Sequence, residues 1–226
     1  MTPRRILARY PCAVLMVVQL ASILVYPFLD NRSLGRTLFS VVSVAAVALA
    51  VYAVRATPAL TWVSLTLGAP LLVLTAVEAV HPVPWAVLAS AVVHALFYGY
   101  TCYAMIRYMF ADDHATVDEV WATGAAFTVL AWAFTYAYSA VQIVWPGSFT
   151  AGVDPEQPRS WMELLFLSVT TLTSTGLSDI VPLRAHARSV VMLEQIAGML
   201  YLALVVARIG ALLARRQRPP GGPSVS

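Results

Sequence analysis

Residues 161–182 have the sequence Trp-Met-Glu-Leu-Leu-Phe-Leu-Ser-Val-Thr-Thr-Leu-Thr-Ser-Thr-Gly-Leu-Ser-Asp-Ile-Val-Pro, in which a short apolar segment is followed by polar residues. Its apolar part, Trp161 to Leu172, is too short to cross a bilayer core of about 30 Å, which needs roughly 20 helical residues. Threonine, serine and glycine follow it. A short apolar helix followed by polar residues is typical of a re-entrant segment, because non-helical backbone at membrane depth must be buried in protein or line a water-filled path.

The composition around this stretch indicates a membrane protein. Of the 226 residues 60% are hydrophobic and 11% are charged, whereas soluble domains carry roughly 25% charged residues. Cys12 and Cys102 lie in apolar stretches and predict neither a disulfide framework nor a metal site. The arginines lie at the ends of apolar stretches, so nucleic-acid binding is not needed to explain them. No motif of an enzyme active site or cofactor site is found.

Six other stretches are long and apolar enough to span the membrane. The first begins after three arginines and, at about 19 residues, exceeds a typical signal-peptide core of roughly 7–15 residues, so we interpret it as a retained helix. The predicted fold is therefore an all-α integral membrane protein with six transmembrane helices and a re-entrant helix and loop between the fifth and sixth. The predicted spans are 11–29, 37–54, 58–80, 85–109, 119–145 and 187–213.

The arginine distribution predicts the orientation. Placing both termini in the cytoplasm puts nine arginines inside and five outside, and places the 146–186 connection outside. We expect a four-helix N-terminal transmembrane region over 1–111, a pore domain over 112–214, and a disordered cytoplasmic tail over 215–226.

The segment Val169 to Pro182 resembles the pore signature of potassium channels. Their filters have the sequence Thr-Val-Gly-Tyr-Gly-Asp, commonly followed by two apolar residues and proline. The six positions fall on Ser174, Thr175, Gly176, Leu177, Ser178 and Asp179. Identical residues are found at Thr173, Gly176, Asp179 and Pro182. The final helix also resembles the inner helix of bacterial members, and the specific resemblance covers roughly 112–213.

The resemblance implies a homotetramer with one central pore in a bacterial plasma membrane, because one chain supplies one filter loop. Its filter residues would be Thr173 to Asp179, with backbone carbonyls replacing the hydration shell of a monovalent cation. The resemblance places K⁺, and with it Na⁺ as a second permeant ion, at Ser174, Thr175, Gly176 and Leu177. It implies no cofactor. Gly198 falls on the family's inner-helix hinge.

Several positions depart from the family pattern. Leu177 stands where the family has an aromatic residue that braces the filter, and Phe166 and Leu167 stand where some members carry its tryptophan partners. Ser178 replaces the second glycine, where a positive φ would be strained for a serine. Thr170 replaces an acid that some members place behind the filter. We therefore expect the outer half of the filter to differ in shape or stiffness, and potassium selectivity to be reduced.

Four polar or small positions allow two interpretations each. Gly198 is either a gating hinge or a packing glycine at a helix contact. Glu194, inside the last helix, either accepts hydrogen bonds from hydroxyls or amides behind the filter or contacts ions directly. Asp154 and Glu156 either form an acidic outer mouth with Asp179 or belong to a solvated turret.

The first four helices do not resemble a voltage sensor, which needs several arginines at three-residue spacing. The fourth carries Arg107 alone, and its His94 is interpreted as a packing residue rather than a proton relay. The sequence thus predicts a passive cation channel without voltage-sensor gating. Two alternatives stay open, namely a secondary transporter and a non-conducting, channel-like membrane assembly protein. No internal repeat that would favour the transporter is visible.

Overall fold

The computed structural model describes residues 10–29, 45–52, 61–80, 83–111 and 117–216. Its elements are seven helices and two short strands within these ranges. The helices are α1 (Pro11–Leu29), α2 (described over 45–52), α3 (Thr61–Val80), α4 (Pro84–Met109), α5 (Val117–Val144), α6 (Trp161–Leu172) and α7 (Ala185–Arg216). The strands are β1 (Phe149–Thr150) and β2 (Val181–Pro182).

Four of the described helices, α1, α4, α5 and α7, are long and apolar enough to cross a membrane. This agrees with the predicted class of a helical membrane protein. The third predicted span has a shorter apolar stretch, Trp62–Glu78, and α6 is short as well. Most of the second predicted span lies outside the described residues, so the number of six spans stays a prediction. The tail beyond 216 also lies outside them.

Helix α5 lies at the centre of the fold and packs against α1, α4, α6 and α7. Its alanines at 122, 125 and 126 are fully buried. Small residues let helices approach closely in a membrane, where hydrophobic burial alone gives no preference for protein over lipid contacts. Larger side chains, Trp132 and Tyr138, fill the space between α5 and its neighbours. The element that leads into the 161–182 stretch is therefore held on several sides.

Helix α1 is joined to α5 by close and polar contacts. The Thr128 hydroxyl donates a hydrogen bond to the Gln19 side-chain oxygen over 2.8 Å. A Cβ atom at Gly124 would lie 2.6 Å from the Met16 sulfur, so the glycine gives the room that this packing needs. The N-terminal helix thus packs directly on the helix that precedes the loop.

A two-stranded antiparallel ribbon, absent from the predicted all-α fold, joins the two sides of the connection. Phe149 pairs with Pro182 and Thr150 with Val181. The Leu183 amide extends the pairing by donating to the Ser148 carbonyl over 2.8 Å. The chain leaving the loop is therefore fastened to the chain leaving α5, which sequence patterning missed because two-residue strands carry no alternating pattern.

Candidate pore loop

Helix α6 begins with a capping box that the sequence analysis did not identify. The Ser160 hydroxyl accepts a hydrogen bond from the Glu163 amide over 3.3 Å, and the Glu163 carboxylate accepts one from the Ser160 amide over 2.6 Å. Such a box satisfies two of the amides that a helix leaves unpaired at its start. The signal was present as Ser-x-x-Glu directly before an apolar run.

The turret before α6 is built around Arg159, a residue that is 5% exposed. It donates to backbone carbonyls of the turret and pairs with Glu163 over 3.1 Å. The Gln142 side chain on α5 bonds both the amide and the carbonyl of Arg159, over 2.7 and 3.0 Å. The turret therefore has internal structure, although Asp154 and Glu156 within it are exposed.

Helix α6 ends in a Schellman motif. The Ser174 amide donates to the Thr171 carbonyl and the Thr175 amide donates to the Thr170 carbonyl, each over 3.0 Å. The motif needs a left-handed residue after the cap, usually glycine. Ser174 takes that place with φ of 58°. Ser174, the first of the six positions aligned with the family filter, therefore turns the chain out of the helix.

The loop after Ser174 has positive φ again at Gly176, with φ of 65°. In the described part of the chain the non-glycine residues with positive φ are Asp154 and Ser174. Ser178 therefore does not adopt the positive φ that would be strained for a serine. The Ser178 hydroxyl instead accepts a hydrogen bond from the Ile180 amide over 3.0 Å, in a local turn available to serine. The alternation of left-handed and right-handed backbone is found at 174–176 and does not continue into the outer half of the loop.

Most of the predicted filter residues lie together on an open face. Thr173, Ser174, Thr175, Gly176, Leu177 and Asp179 are exposed, and Ser178 is half-buried. The Thr173 and Thr175 hydroxyls are 3.0 Å apart. Both ends of the loop are fixed, by the Schellman motif on one side and by buried Ile180 and the β ribbon on the other. The loop is therefore exposed along most of its length and fixed at both ends.

The departures from the family pattern have visible consequences within one chain. Leu177 is 79% exposed and Phe166 is 47% exposed, whereas Leu167 is buried. Leu177 is therefore not braced by α6 of its own chain. The Thr170 hydroxyl donates to the Leu167 carbonyl over 3.0 Å, a bond within the helix.

Glu194 connects three helices behind the loop. Its side chain is fully buried and accepts hydrogen bonds from the Tyr138 hydroxyl on α5 and the Ser168 hydroxyl on α6. Ser168 also lies 2.9 Å from the Ala131 carbonyl. The expectation that Glu194 accepts a hydrogen bond from a pore-helix hydroxyl is confirmed. No sequence signal identified Tyr138 or Ser168 as the partners, because the three residues are far apart in the chain.

Gly198 lies against the end of α6. A Cβ atom there would overlap the Leu172 carbonyl oxygen and lie 3.1 Å from its carbonyl carbon. The glycine therefore permits a backbone-to-backbone approach between α7 and the start of the loop. This geometry favours the packing interpretation of Gly198, and its predicted role as a hinge stays a prediction.

One face of α7 makes all these contacts. Glu194 and Gly198 are followed by Tyr201, whose hydroxyl donates to the Thr123 carbonyl on α5, and by Arg208, whose guanidinium lies 3.6 Å from the Glu119 carboxylate. With Val205 these positions alternate spacings of four and three residues, which keeps them on one helix face. This spacing is visible in the sequence, although it was not used to predict that these residues share one helix face.

His94 has the packing role that was expected. It is buried, its Nδ1 lies 2.8 Å from the Ser90 carbonyl, and its ring stacks on Tyr136 at 4.2 Å. Among the described residues, no group of three or more His, Cys, Asp or Glu side chains could hold a metal ion.

Comparison with known proteins agrees with this geometry. A family model described as "Ion channel" matches residues 95–215, more than half of the chain, from within α4 nearly to the end of α7. No curated protein and no solved structure matches the chain. The matched region contains α5, the short helix α6, the loop and α7. The chain therefore belongs to this ion-channel family and is a membrane protein of the potassium-channel superfamily.

Proposed function

We propose that this chain is the subunit of a homotetrameric channel that passes monovalent cations without a voltage sensor. One observation carries the proposal. A 12-residue helix, too short to span, lies between two long helices and ends in an exposed loop with left-handed residues at 174 and 176. A loop of this kind can aim successive carbonyl oxygens at one line, and four copies would surround a dehydrated cation.

The electrostatics of the loop favour a cation. The C-terminal end of α6, which carries partial negative charge, points toward the loop. Asp179 is exposed at the far end of the loop, and the exposed Asp154 and Glu156 lie in the turret. In this proposal the carboxylates attract cations to an extracellular mouth. The K⁺ sites would be made by Ser174, Thr175, Gly176 and Leu177, without any cofactor.

Selectivity between K⁺ and Na⁺ would be weaker than in relatives with an aromatic brace. Leu177 is exposed within the chain, and Ser178 closes a local turn instead of continuing the alternation of backbone handedness. The outer half of the loop then supplies fewer carbonyls along the ion path. Both K⁺ and Na⁺ are therefore proposed as permeant ions.

The remaining parts have supporting roles in this proposal. Residues 1–111 surround the pore domain at 112–214, and both termini face the cytoplasm of a bacterial cell. In this proposal α4 is not a voltage sensor, since Arg107 is its one arginine. The family itself is not enzymatic.

Cation flux into sealed vesicles tests the proposal. We expect purified protein reconstituted in liposomes to dissipate a K⁺ gradient across the vesicle membrane. The Gly176→Val variant should abolish this flux. Valine is poorly tolerated at φ of 65°. Gly152→Val is the matched control, because Gly152 lies in the turret with no atom within 4 Å of an added Cβ. It should conduct like the wild type.

The same assay separates the alternatives. Absence of flux from verified tetramers would contradict the proposal and favour the non-conducting assembly protein. Flux that saturates and depends on a second ion would favour the transporter. Flux that survives Gly176→Val unchanged would place the ion path elsewhere in the chain.

A further inference from the structure

Three buried side chains on α4 and α5 carry polar atoms that no group in the described part of the chain satisfies. These atoms are Nε2 of His94, the hydroxyl of Tyr98 and the indole N–H of Trp132. The three residues are 3%, 0% and 2% exposed. Buried polar groups in folded proteins nearly always have a hydrogen-bond partner, either in the protein or in an ordered water. Three such atoms on neighbouring side chains therefore point to a ligand.

The rings that carry these atoms form one contiguous group. Tyr98 lies at its centre, with its ring centre 6.1 Å from that of His94 and 5.5 Å from that of Trp132. Tyr136 closes one side of the group by stacking on His94 at 4.2 Å. The wider spacing between His94 and Tyr98 makes that side of the histidine the more loosely packed one. We therefore treat the three polar atoms as one site between α4 and α5.

The site lies deep in the membrane. His94 and Tyr98 are at least 10 residues from either end of α4, and Trp132 is at least 12 residues from either end of α5. At 1.5 Å per residue, each is about 15 Å or more along its helix from the nearer end. The hydrocarbon core is about 30 Å thick, so bulk water does not reach this level. A polar group without a partner is costly there.

Hydrogen bonding defines what each atom can do. The Nδ1 atom of His94 lies 2.8 Å from the Ser90 carbonyl, which can only accept, so Nδ1 carries the proton. In the neutral ring Nε2 is then an acceptor. The Trp132 indole can only donate, whereas the Tyr98 hydroxyl can do both. A ligand of this site must therefore both donate and accept hydrogen bonds.

This combination of atoms selects a small neutral ligand. A cation would lie against the Trp132 N–H group, and an anion would lie against the lone pair of Nε2. A water molecule has two hydrogens and two lone pairs. It can donate to Nε2, accept from the indole and bond the Tyr98 hydroxyl in either direction. Buried waters in proteins typically make about three hydrogen bonds to groups that would otherwise have no partner.

We propose that His94, Tyr98 and Trp132 bind one internal water molecule, which joins α4 to α5 in the middle of the membrane. Helix α4 precedes the proposed pore domain and α5 is the first helix of that domain, so the water is a polar link between the two regions. Trp132 also contacts Trp161, the first residue of α6, edge-on at 5.4 Å. The link thus lies beside the start of α6, and it does not depend on the passage of ions.

Solid-state NMR of the full-length protein in lipid bilayers tests the site. Tryptophan is labelled with ¹⁵N, and the transfer of magnetisation from water to each indole N–H group is measured. We expect a transfer signal at the Trp132 indole, which is assigned by its loss in Trp132→Phe. Because bulk water does not reach this depth, such a signal reports a bound water.

Two changes at His94 form a matched pair. The side-chain oxygen of glutamine can replace Nε2 as an acceptor, whereas the shorter asparagine reaches only the position of Nδ1. His94→Gln should therefore keep the transfer signal, and His94→Asn should reduce it. The double variant His94→Asn/Tyr98→Phe leaves the water a single partner and should abolish the signal, since a buried water needs two to four partners.

Tyr201→Phe is the control. It also removes a buried tyrosine hydroxyl, but one that donates to the Thr123 carbonyl, nine residues before Trp132 on α5. The transfer signal of Trp132 should equal that of the wild type in this variant. An equal decrease in Tyr201→Phe and in His94→Asn would show a general loosening of the helices and would overturn the proposal.

Two further results would contradict the bound water. Absence of the signal in the folded wild type would show that the Trp132 N–H group faces the Trp161 ring, as the edge-on contact allows. A signal unchanged in the double variant would show that the water is bound elsewhere. Where a variant does not fold, a wild-type structure that resolves ordered waters decides. It should show a water within hydrogen-bond distance of at least two of the three atoms, and no such water would overturn the proposal.

Discussion

Glu194 shows how a single carboxyl group is accommodated among apolar helices. An acidic side chain inside a membrane span is costly unless polar partners receive it. Here the hydroxyls of Tyr138 and Ser168 are those partners, and they belong to α5 and α6. The residue therefore holds α6 from behind.

Replacing Glu194 by leucine should destabilise the assembled protein. The change removes an acceptor from two buried hydroxyls. The Ser168 hydroxyl keeps the Ala131 carbonyl, whereas the Tyr138 hydroxyl loses its acceptor, and a buried group left without its partner costs about 1–3 kcal/mol. We expect a lower melting temperature of the detergent-solubilised protein, followed by circular dichroism. Tyr138→Phe, which removes one of the two donors and keeps the ring, should show a smaller loss. A melting temperature unaffected by Glu194→Leu would contradict the structural role of this carboxyl group.

Gly198 and Gly210 form a natural pair of test positions on α7. Alanine at 198 would overlap the Leu172 backbone, which cannot move aside cheaply, whereas nothing lies within 4 Å of a Cβ at 210. We expect Gly198→Ala to lower thermal stability clearly. Gly210→Ala should be neutral or stabilising by up to about 1 kcal/mol, because alanine is the better helix former.

Single-channel recording then separates packing from hinge at Gly198. A packing glycine predicts lost stability and altered conductance, since Leu172 leads directly into the loop. A hinge predicts normal stability with a changed open probability. Stability equal to the wild type in Gly198→Ala, with altered gating alone, would reverse the interpretation favoured by the geometry.

At the scale of elements, α6 has to be a well-formed helix although it is only 12 residues long. Isolated helices of that length are only marginally stable in water, so the stability of α6 depends on its capping and its tertiary contacts. The Ser160–Glu163 capping box fixes the start, and the Schellman motif fixes the end. Both ends of the helix that carries the loop are therefore defined by specific hydrogen bonds.

Removing the cap should loosen α6 at its start. Ser160→Ala deletes the side-chain acceptor for the Glu163 amide, a change that costs about 1 kcal/mol at typical N-caps. We expect faster amide hydrogen exchange over 161–165 and a small decrease in melting temperature. Ser189→Ala is the control, because the Ser189 hydroxyl only bonds the Ala185 carbonyl within α7 on an exposed face. Equal amide hydrogen exchange over 161–165 in the two variants would contradict a stabilising role of the Ser160 cap.

For the whole molecule, hydropathy and motif together predicted most of the helical architecture. The predicted span 85–109 corresponds to α4, Pro84–Met109 in the structure. The short segment Trp161 to Leu172 corresponds to α6, with the same bounds. These agree because a run of apolar residues of defined length has few other solutions in a bilayer. The start of the sixth span, placed at 187, lies at Ala185.

The contacts that hold the loop were less predictable. Glu194 was identified, but its partners Tyr138 and Ser168 lie 56 and 26 residues away, and one sequence gives no distances across helices. The replacement of a family glycine by Ser178 predicted a different outer half of the loop, but not which backbone geometry the serine adopts. Serine can instead satisfy a nearby amide with its hydroxyl. At Ser178 the hydrogen bond from the Ile180 amide is found in place of the positive φ that a glycine would allow.

The exposed apolar face of α7 predicts assembly. Side chains more than half exposed line this helix on the sides away from α5 and α6, and large exposed apolar surfaces mark lipid or protein contacts. They are Met192, Leu193, Ile196, Met199, Leu200, Leu202, Val206 and Ile209. We expect native mass spectrometry to give four copies of the 24.4 kDa chain. A stable monomer or dimer in several mild detergents would contradict the tetramer.

We propose that cations cross the membrane through the loop at 173–179. The reversal potential in planar bilayers, with K⁺ on one side and Na⁺ on the other, tests this for the wild type and for the double variant Leu177→Tyr/Ser178→Gly. We expect reversal near zero for the wild type and a shift toward the K⁺ equilibrium potential for the variant, which restores the residues of the family filter. Silent wild-type tetramers, or currents whose reversal ignores both substitutions, would contradict it.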